Sequence, residues 1–336
     1  MRVIVDGFGS FVGKHSERLV VRNKTEIVQE VPLFEVEHVL VIASGVSLSS
    51  DVIRECTERG IPITFVDRKG DVYASILSPD LTGTVKTRRE QLLAYLDERG
   101  VAAAKAFAAG KIQNQANLLK YMAKYRKAIA PDLHETVRNG ALEIEQLVED
   151  VKGLKGGNVD ELRPHLMNRE GRAGHLYWQT ARQLIPDEIE WEGREGRGAQ
   201  DLVNSMLNYG YGVLYTQVQQ AIVLAGLDPY AGFVHVDRAG KPSLVLDLVE
   251  EFRQPIVDRS IFALLNQGVS LEMDGDRLAD ATRRIVAQRV IERLDADDHY
   301  EGKKHKLRTI VQSQARHLAT FLRGEGRPYR PFVARW

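Results

Sequence analysis

One imidazole and two carboxylates occur close together in a segment that is otherwise mostly apolar. Residues 231–253 read AGFVHVDRAGKPSLVLDLVEEFR, in which His235 lies among apolar residues and a turn separates it from a helical pattern beginning at Ser243. That helix is apolar on nearly all sides, yet it carries Asp247 and Glu250. A buried ionised carboxylate is costly unless a positive charge, a hydrogen-bond donor or a metal compensates it. The segment therefore predicts a buried polar site.

A third carboxylate, Glu170, lies far upstream in NREGRAGHLYW, on the same helical face as Tyr177. Asp247 and Glu250 are three residues apart, so one cation can meet both, or one directly and the other through water. An imidazole combined with carboxylates suits Mn²⁺ or Mg²⁺, and the imidazole favours Mn²⁺. Such a cation activates an oxygen nucleophile in phosphoryl transfer. The residue types therefore point to metal-dependent phosphoryl-transfer chemistry.

Two simpler interpretations of the same residues remain open at this point. A histidine beside valines is more often a hydrogen-bonded core residue than a ligand. Two carboxylates on one helix more often pair with basic side chains, and Arg238 and Arg253 lie close to them in the sequence. Spacing alone does not separate a metal site from an ion-pair network.

A second polar stripe runs through the pattern NxxxNYGYxxLY. Asn204, Asn208, Tyr211 and Tyr215 follow the spacing i, i+4, i+7, i+11, which is one continuous helix face. Amides and phenols there can orient the carboxylates of a metal site or contact a phosphate backbone. A hydrogen-bonded seam between packed helices is the alternative.

Two short runs are rich in basic side chains, at 120–127 (KYMAKYRK) and at 303–308 (KKHKLR), where Lys303 and Lys304 begin the second run. Such runs can bind phosphates, although charged helix faces are often only solvated. The formal net charge of the chain is zero. A generally basic coat for nucleic acid is therefore excluded, and any basic contacts must be local.

The glycine-rich opening VIVDGFGSFVG does not match a dinucleotide-binding fingerprint. Its glycines, Gly7, Gly9 and Gly13, are spaced one residue too widely for GxGxxG. The following residues continue as a strand instead of opening a helix. A β-hairpin turn is the expected structure.

The elements that position these residues change in type near residue 80. We expect an α+β protein with a small N-terminal mostly-β domain (1–80), a linker (81–87) and a larger all-α helical catalytic domain (88–336). Short β-rich runs precede the change, interrupted by one helix at about 49–58. Predicted strands are 3–5, 18–21, 26–30, 38–42, 62–66 and 72–76. Predicted helices are 87–99, 102–127, 141–151, 160–184, 199–224, 243–252, 278–294 and 304–322.

Composition indicates a globular protein of ordinary type. The chain has 336 residues, 43% hydrophobic and 27% charged, and its single cysteine excludes an intrachain disulfide framework and a cysteine-rich zinc site. There is no run of about 18 apolar residues and no secretory leader, so we expect no membrane association and a cytoplasmic location.

Three blocks in order, NREG-x-AGHLYW, NxxxNYGYxxLY and GFVHVDRAGKPSLVLDLVEEFRQPIVDR, resemble the CRISPR-associated adaptation endonuclease/integrase family, the Cas1 subunit of spacer acquisition. The resemblance runs nearly from end to end of the chain. It implies an enzyme that inserts foreign DNA fragments into a CRISPR repeat array, in which a 3′-hydroxyl attacks a phosphodiester. It also implies homodimers that assemble on a small dimeric partner, Cas2.

The resemblance assigns roles residue by residue. Glu170, His235 and Glu250 correspond to the family's metal ligands, and Asp247 to the acidic residue just before the last of them. It further suggests that basic side chains and the asparagine stripe line DNA paths. The residues expected to do so are Tyr177, Arg238, Lys303 and Lys304, with Asn204 and Asn208 behind the metal.

Two other functions fit the same residues. The first is a structure-selective, metal-dependent DNA nuclease of repair, which would use the same site for hydrolysis. The second is a non-catalytic DNA-binding scaffold, in which the polar cluster is a structural ion-pair network.

Overall fold

The computed structural model describes residues 2–67, 70, 72–76, 84–196 and 198–336. Its N-terminal lobe holds two four-stranded sheets and one helix. The elements are β1 (Arg2–Val5), β2 (Ser10–His15), β3 (Arg18–Asn23), β4 (Glu26–Pro32), β5 (His38–Val41), β6 (Ser47–Leu48), α1 (Ser50–Glu58), β7 (Ile63–Val66) and β8 (Val72–Ile76). All six predicted strands are present, and β2 and β6 are two additional ones.

The sheet β1-β5-β7-β8 connects the two lobes. Strands β1, β5 and β7 are parallel, β8 is antiparallel to β7, and the register pairs Val3 with Val39. Because side chains alternate along a strand, Val3 and Val39 point into the core of the N-terminal lobe. Leu40 and Val66, on the opposite face, belong to the hydrophobic core of the helical lobe. One sheet therefore serves two cores.

The second sheet has the strand order β4-β3-β2-β6, and its first strand along the chain, β2, follows the glycine-rich turn. Gly9 has a φ of +72° in the turn between β1 and β2, a conformation that favours glycine. Strands, not a helix, follow this turn, but β1 pairs with β5 whereas β2 pairs with β3 and β6, so the β-hairpin expected from these glycines is wrong.

The remaining part of the chain is mainly helical. Its helices are α2 (Thr84–Ala94), α3 (Glu98–Ala123), α4 (Pro131–Gly153), α5 (Val159–Arg182), α6 (Leu202–Leu224), α7 (Ser243–Val249), α8 (Arg259–Asn266), α9 (Asp280–Asp295) and α10 (Leu307–Leu322). Helix α3 packs against α4 and α5, and α6 packs against α7, α9 and α10. Of the predicted linker 81–87, residues 84–87 belong to α2, and 81–83 lie outside the described residues.

The helical lobe is not purely helical, which corrects one detail of the prediction. Two small hairpins interrupt it: β9 (Met273–Asp274) with β10 (Arg277–Leu278), and β11 (Asp297–Tyr300) with β12 (Lys303–Lys306). The second hairpin turns at Glu301 and Gly302, whose φ angles are +48° and +81°. Two consecutive positive φ values are typical of a tight hairpin turn.

Side-chain caps start the helices that matter for the site. Asp97 precedes α3 and accepts from a main-chain N–H of its first turn at 2.8 Å. Asn158 precedes α5, and its side chain accepts from the main-chain N–H of Glu161 at 3.0 Å. The carboxylate of Glu161 in turn accepts from the main-chain N–H of Gly157 at 2.9 Å, as in a capping box. Asp201 precedes α6, and its carboxylate accepts from the main-chain N–H of Asn204 at 2.8 Å. These caps account for the start of each helix from local sequence.

Helix α7 is shorter than predicted. It ends at Val249, and a π-helical segment, Arg253–Asp258, leads into α8. A π-helical segment shifts the following side chains around the helix axis, and such segments are frequent at functional sites.

Gly70 of the N-terminal lobe and Gly212 of α6 approach each other more closely than any other residue type would permit. A β-carbon on Gly212 would lie 1.5 Å from the carbonyl oxygen of Gly70. The two lobes therefore meet by main-chain contact at this point. No helix within the described ranges is long and apolar enough to cross a bilayer.

Candidate metal and DNA site

The fully buried carboxylate of Asp247 organises the loop that carries His235. Its Oδ1 accepts from the main-chain N–H of His235 at 2.9 Å, and its Oδ2 accepts from the N–H of Val234 at 3.0 Å and from that of Phe233. Three main-chain donors offset the cost of burying this charge. Asp247 therefore fixes the loop, and its oxygens face protein donors.

The same carboxylate sets the tautomer of His235. Ring atom Nδ1 lies 2.8 Å from Asp247 Oδ1, and because a carboxylate only accepts, Nδ1 carries the proton. In the neutral ring, Nε2 is then the atom with a free lone pair. A carboxylate behind a histidine in this way is the usual arrangement at metal sites, where it orients the ring and raises its basicity.

Arg163 holds the other side of the same loop. Its Nε donates to the carbonyl of Val234 at 2.9 Å, and its Nη2 donates to that of Phe233 at 3.3 Å. Arg163 lies on α5, two turns before Glu170. The guanidinium therefore connects the histidine loop to the helix that carries Glu170.

Lys111 of α3 joins the two remaining candidate ligands. Its Nζ contacts Glu170 Oε1 and lies 2.8 Å from Glu250 Oε2. Burial opposes the charge of Lys111, but the two carboxylates outweigh it and raise its pKa above the usual value. Glu170, from α5, and Glu250, from the end of α7, thus meet at one ammonium group.

Arg253 neutralises Glu250 from the opposite side. Its Nη1 lies 2.9 Å from Glu250 Oε1, and its guanidinium lies over the ring of Tyr211, 4.8 Å from the centroid. It also donates to the hydroxyl of Tyr215. Burial raises the pKa of Glu250, but Arg253, then Lys111 and more weakly His235, lower it overall.

The chemistry of this donor set suits a divalent cation, with one imidazole and two carboxylates from three separate elements. Glu250 Oε2 is buried and accepts no aligned hydrogen bond, although Lys111 Nζ lies 2.8 Å away. Among the described residues, however, no three His, Cys, Asp or Glu side chains are grouped as a ready-made metal cage. The residues fit a cation by type, and Lys111 lies between the carboxylates.

Comparison with known proteins decides the family. The family model "CRISPR associated protein Cas1" matches residues 3–292. The curated "CRISPR-associated endonuclease Cas1 1" of Archaeoglobus fulgidus is 38% identical, over 100% of both chains. The chain belongs to the Cas1 family. The resemblance noted from the three sequence blocks is confirmed.

Solved structures show the same fold. The chain is similar to a "Casposase bound to integration product", with a TM-score of 0.81 and 23% identity, over 98% of this chain and 92% of that one. It is also similar to a chain of a "Cas6-RT-Cas1–Cas2 complex", with a TM-score of 0.76 and 21% identity, over 99% of this chain and 36% of that one. The predicted α+β class, with strands first and helices after, is thereby confirmed for this Cas1 family member.

Tyr177 does not lie on a DNA path in this structure, which corrects the expectation. It is fully buried, and its hydroxyl donates to Asp258 at 2.8 Å. Tyr211 donates to the other oxygen of Asp258. Burial raises the pKa of Asp258, while the two tyrosine hydroxyls act in the opposite direction. In this Cas1 family chain, the two tyrosines thus bind the last residue of the π-helical segment.

Asn204 and Asn208 also have partners other than the candidate ligands. They accept from Arg194 at 3.1 and 2.6 Å, and Asn204 donates to the carbonyl of Gly193 at 2.8 Å. The guanidinium of Arg194 lies 5.6 Å from the ring centroid of Tyr211. The two asparagines of the polar stripe therefore bind the 193–196 loop to α6. Their expected place behind the metal stays a prediction.

The remaining predicted DNA contacts, Arg238, Lys303 and Lys304, are all exposed. The first lies in the turn after the histidine, and the two lysines lie on β12. They stay available to a phosphate backbone.

Sequence reasoning missed Lys111 and Arg163. Each lies on a long helix that has no local motif around it, and each acts on residues more than 50 positions away. The one available signal was a cation within the apolar pattern AFAAGKIQNQ, which a buried helix tolerates only beside a carboxylate.

Proposed function

We propose that this chain is a metal-dependent DNA endonuclease/integrase that inserts DNA fragments into a CRISPR repeat array by transesterification. Membership of the Cas1 family makes this reaction class the expected one. The observation that carries the proposal is that the carboxylates of Glu170 and Glu250 meet at the ammonium group of Lys111. The third candidate ligand, His235, has its tautomer fixed by Asp247. Glu170, His235 and Glu250 would hold a Mg²⁺ or Mn²⁺ ion.

The reaction exchanges one phosphodiester for another. The 3′-hydroxyl oxygen of the fragment forms a bond to phosphorus, and the bond from phosphorus to the 3′-oxygen of the repeat strand breaks. One P–O bond forms and one breaks, so no energy source is needed. A bound divalent ion supplies Lewis acidity, which makes a hydroxyl more acidic and offsets charge at phosphorus.

The residues of the chain supply order around that reaction. Asp247 and Arg163 fix the main chain on both sides of His235, so its Nε2 points in one direction. Arg253 stays beside Glu250 and contributes a permanent positive charge toward a phosphate. Preorganised charges of this kind are worth more in a buried site than in water.

Assembly with DNA and other subunits belongs to the same proposal. One of the solved structures with the same fold is a "Cas6-RT-Cas1–Cas2 complex", which supports a small dimeric Cas2 partner for this chain. The edge strand β4 exposes Ile27 and Val28, and Phe8 and Phe34 are 77% and 79% exposed on the same lobe. Exposed apolar side chains on a sheet edge suit a homodimer contact. Light scattering of Val28→Lys against wild type tests that contact.

The decisive experiment follows the joining of a labelled DNA fragment to a plasmid carrying a repeat array, with Mn²⁺. Wild type should join it, and Glu170→Gln and His235→Ala should not. Glu145→Gln is the matched control, because Glu145 of α4 also forms an ion pair with a lysine of α3, Lys120, at 2.6 Å, but neither residue is a candidate ligand. Unchanged joining by both site variants would contradict the proposal.

A fragment lacking its 3′-hydroxyl separates integration from hydrolysis. An integrase loses all joined product with this fragment. If the plasmid is cleaved equally fast with either fragment, and the normal fragment is not joined, the protein is instead a repair-type nuclease. DNA binding without any Mn²⁺-dependent product would identify a scaffold.

A further inference from the structure

Lys111 lies at the point where Glu170 and Glu250 come together. Its side chain is 13% exposed, and its ammonium contacts oxygens of both carboxylates. These are two of the three side chains that the proposed function assigns to the divalent cation. The ammonium and a cation held by the same oxygens therefore compete for one position.

Electrostatics makes joint occupancy unfavourable. Like charges a few ångströms apart repel strongly where solvent is largely excluded, and here both would draw on the same two carboxylates. Binding of a divalent ion between these oxygens requires the ammonium to withdraw.

Lys111 is better suited to withdraw than the other cation at the site. Arg253 is held by the rings of Tyr211 and Tyr215 and by the hydroxyl of Tyr215, and its Nη1 lies 2.9 Å from Oε1 of Glu250. Lys111, in contrast, has a flexible four-carbon stem and partners that are both candidate ligands. Arg253 is therefore the fixed charge, and Lys111 is the exchangeable one.

We propose that Lys111 is an internal counter-ion that competes with the divalent cation for Glu170 and Glu250 and so sets the metal affinity of the site. This inference rests on the proposed metal site. Its consequence is that the two carboxylates stay neutralised when the metal leaves, so the site keeps its fold at the cost of affinity.

The test is a Mn²⁺ titration by isothermal calorimetry, checked by the loss of the free Mn²⁺ signal in electron paramagnetic resonance. Lys111→Met should lower the Kd for Mn²⁺ by about tenfold, equivalent to about 1.4 kcal/mol. Lys111→Arg keeps the charge and pairs with carboxylates more firmly, so its affinity should equal or fall below that of wild type.

Lys120→Met is the matched control. It removes the same side chain from the same helix and breaks an ion pair with Glu145, but away from the site. Its Mn²⁺ affinity should equal that of wild type. Lys111→Gln is the second variant, for the case that the methionine packs poorly. Its amide removes the charge but can still donate to one carboxylate.

The outcomes separate this inference from the proposed function. Mn²⁺ binding by wild type, with equal or weaker binding by Lys111→Met and Lys111→Gln, overturns the role of Lys111 alone. Absence of Mn²⁺ binding in every variant, wild type included, overturns both. The role of Lys111 is also overturned if Lys111→Met and Lys111→Gln both unfold and Mn²⁺ does not restore their fold, because the metal should replace the lost charge.

Discussion

Asp247 Oδ1 accepts two hydrogen bonds from one residue, from the main-chain N–H of His235 at 2.9 Å and from its Nδ1 at 2.8 Å. The main chain and the ring of the histidine are thus fixed by the same atom. A carboxylate that is fully buried for this purpose cannot be replaced by an amide without a mismatch.

Asp247→Asn should therefore lower both stability and metal affinity. The new NH₂ group would face N–H donors, which leaves donors unpaired and costs about 1–3 kcal/mol of the free energy of unfolding. Loss of the partner behind the histidine should weaken Mn²⁺ binding by about 10–100-fold. Urea denaturation and calorimetry measure the two effects. Asp237→Asn, on the exposed turn just after the histidine, should change neither.

Arg163→Met should weaken metal binding without contact to any candidate ligand. Removal of the guanidinium frees the carbonyls of Phe233 and Val234 and lets the histidine loop move relative to α5. We expect Mn²⁺ affinity to fall by about tenfold, in the range usual for residues that orient ligands, with partial recovery in Arg163→Lys. Arg182→Met, exposed on the same helix, is the control. Equal affinities for the Arg163 and Arg182 variants would show that the loop is held by Asp247 alone.

The sequence predicted the polar residues of the site but not their partners, and the reason is physical. His235, Asp247 and Glu250 lie within one short segment, so their burial beside apolar residues is visible locally. Lys111 and Arg163 reach the site only through packing of α3 and α5, which no local period encodes. The same limit applies to Tyr177. The sequence shows which helix face carries it, but not that its hydroxyl donates to Asp258, 81 residues away.

Element boundaries show the same division. Strands with period-two burial and helices with clear caps were predicted nearly in place. The predicted helix 304–322 begins three residues too early, within β12, because the basic run at 303–306 is compatible with either a strand or a helix. The positive φ angles at its turn distinguish the two, and of the two turn residues only Gly302 favours such an angle.

Glu251 should make stability depend on pH. Burial raises its pKa from 4.5 to about 7, although donors from Tyr329, Phe332 and Gln314 act in the opposite direction. Because the folded state holds this proton more tightly than the unfolded state, its contribution to stability is complete below pH 4.5. It is lost as pH rises to about 7 and is constant above that.

Comparison of wild type with Glu251→Gln isolates this contribution. The difference in the free energy of unfolding between the two proteins should change by about 3 kcal/mol from pH 4.5 to 7.5 in the direction that favours the variant at high pH. Denaturant titrations at several pH values measure it. Parallel curves for the two proteins would mean that Glu251 is ionised throughout this range in the folded state.

Gly212→Ala should separate the lobes or unfold the chain. A methyl group there would overlap the carbonyl of Gly70, and neither main-chain segment can yield by rotating a side chain. We expect a loss of more than about 3 kcal/mol in the free energy of unfolding, in the range of severe steric substitutions. Gly174→Ala is the matched control, since a β-carbon on this helical glycine meets nothing within 4 Å. It should be neutral or more stable by about 0.5–1 kcal/mol, because alanine is the better helix former. Equal stability of the two variants would mean that the contact between Gly70 and Gly212 does not hold the lobes together.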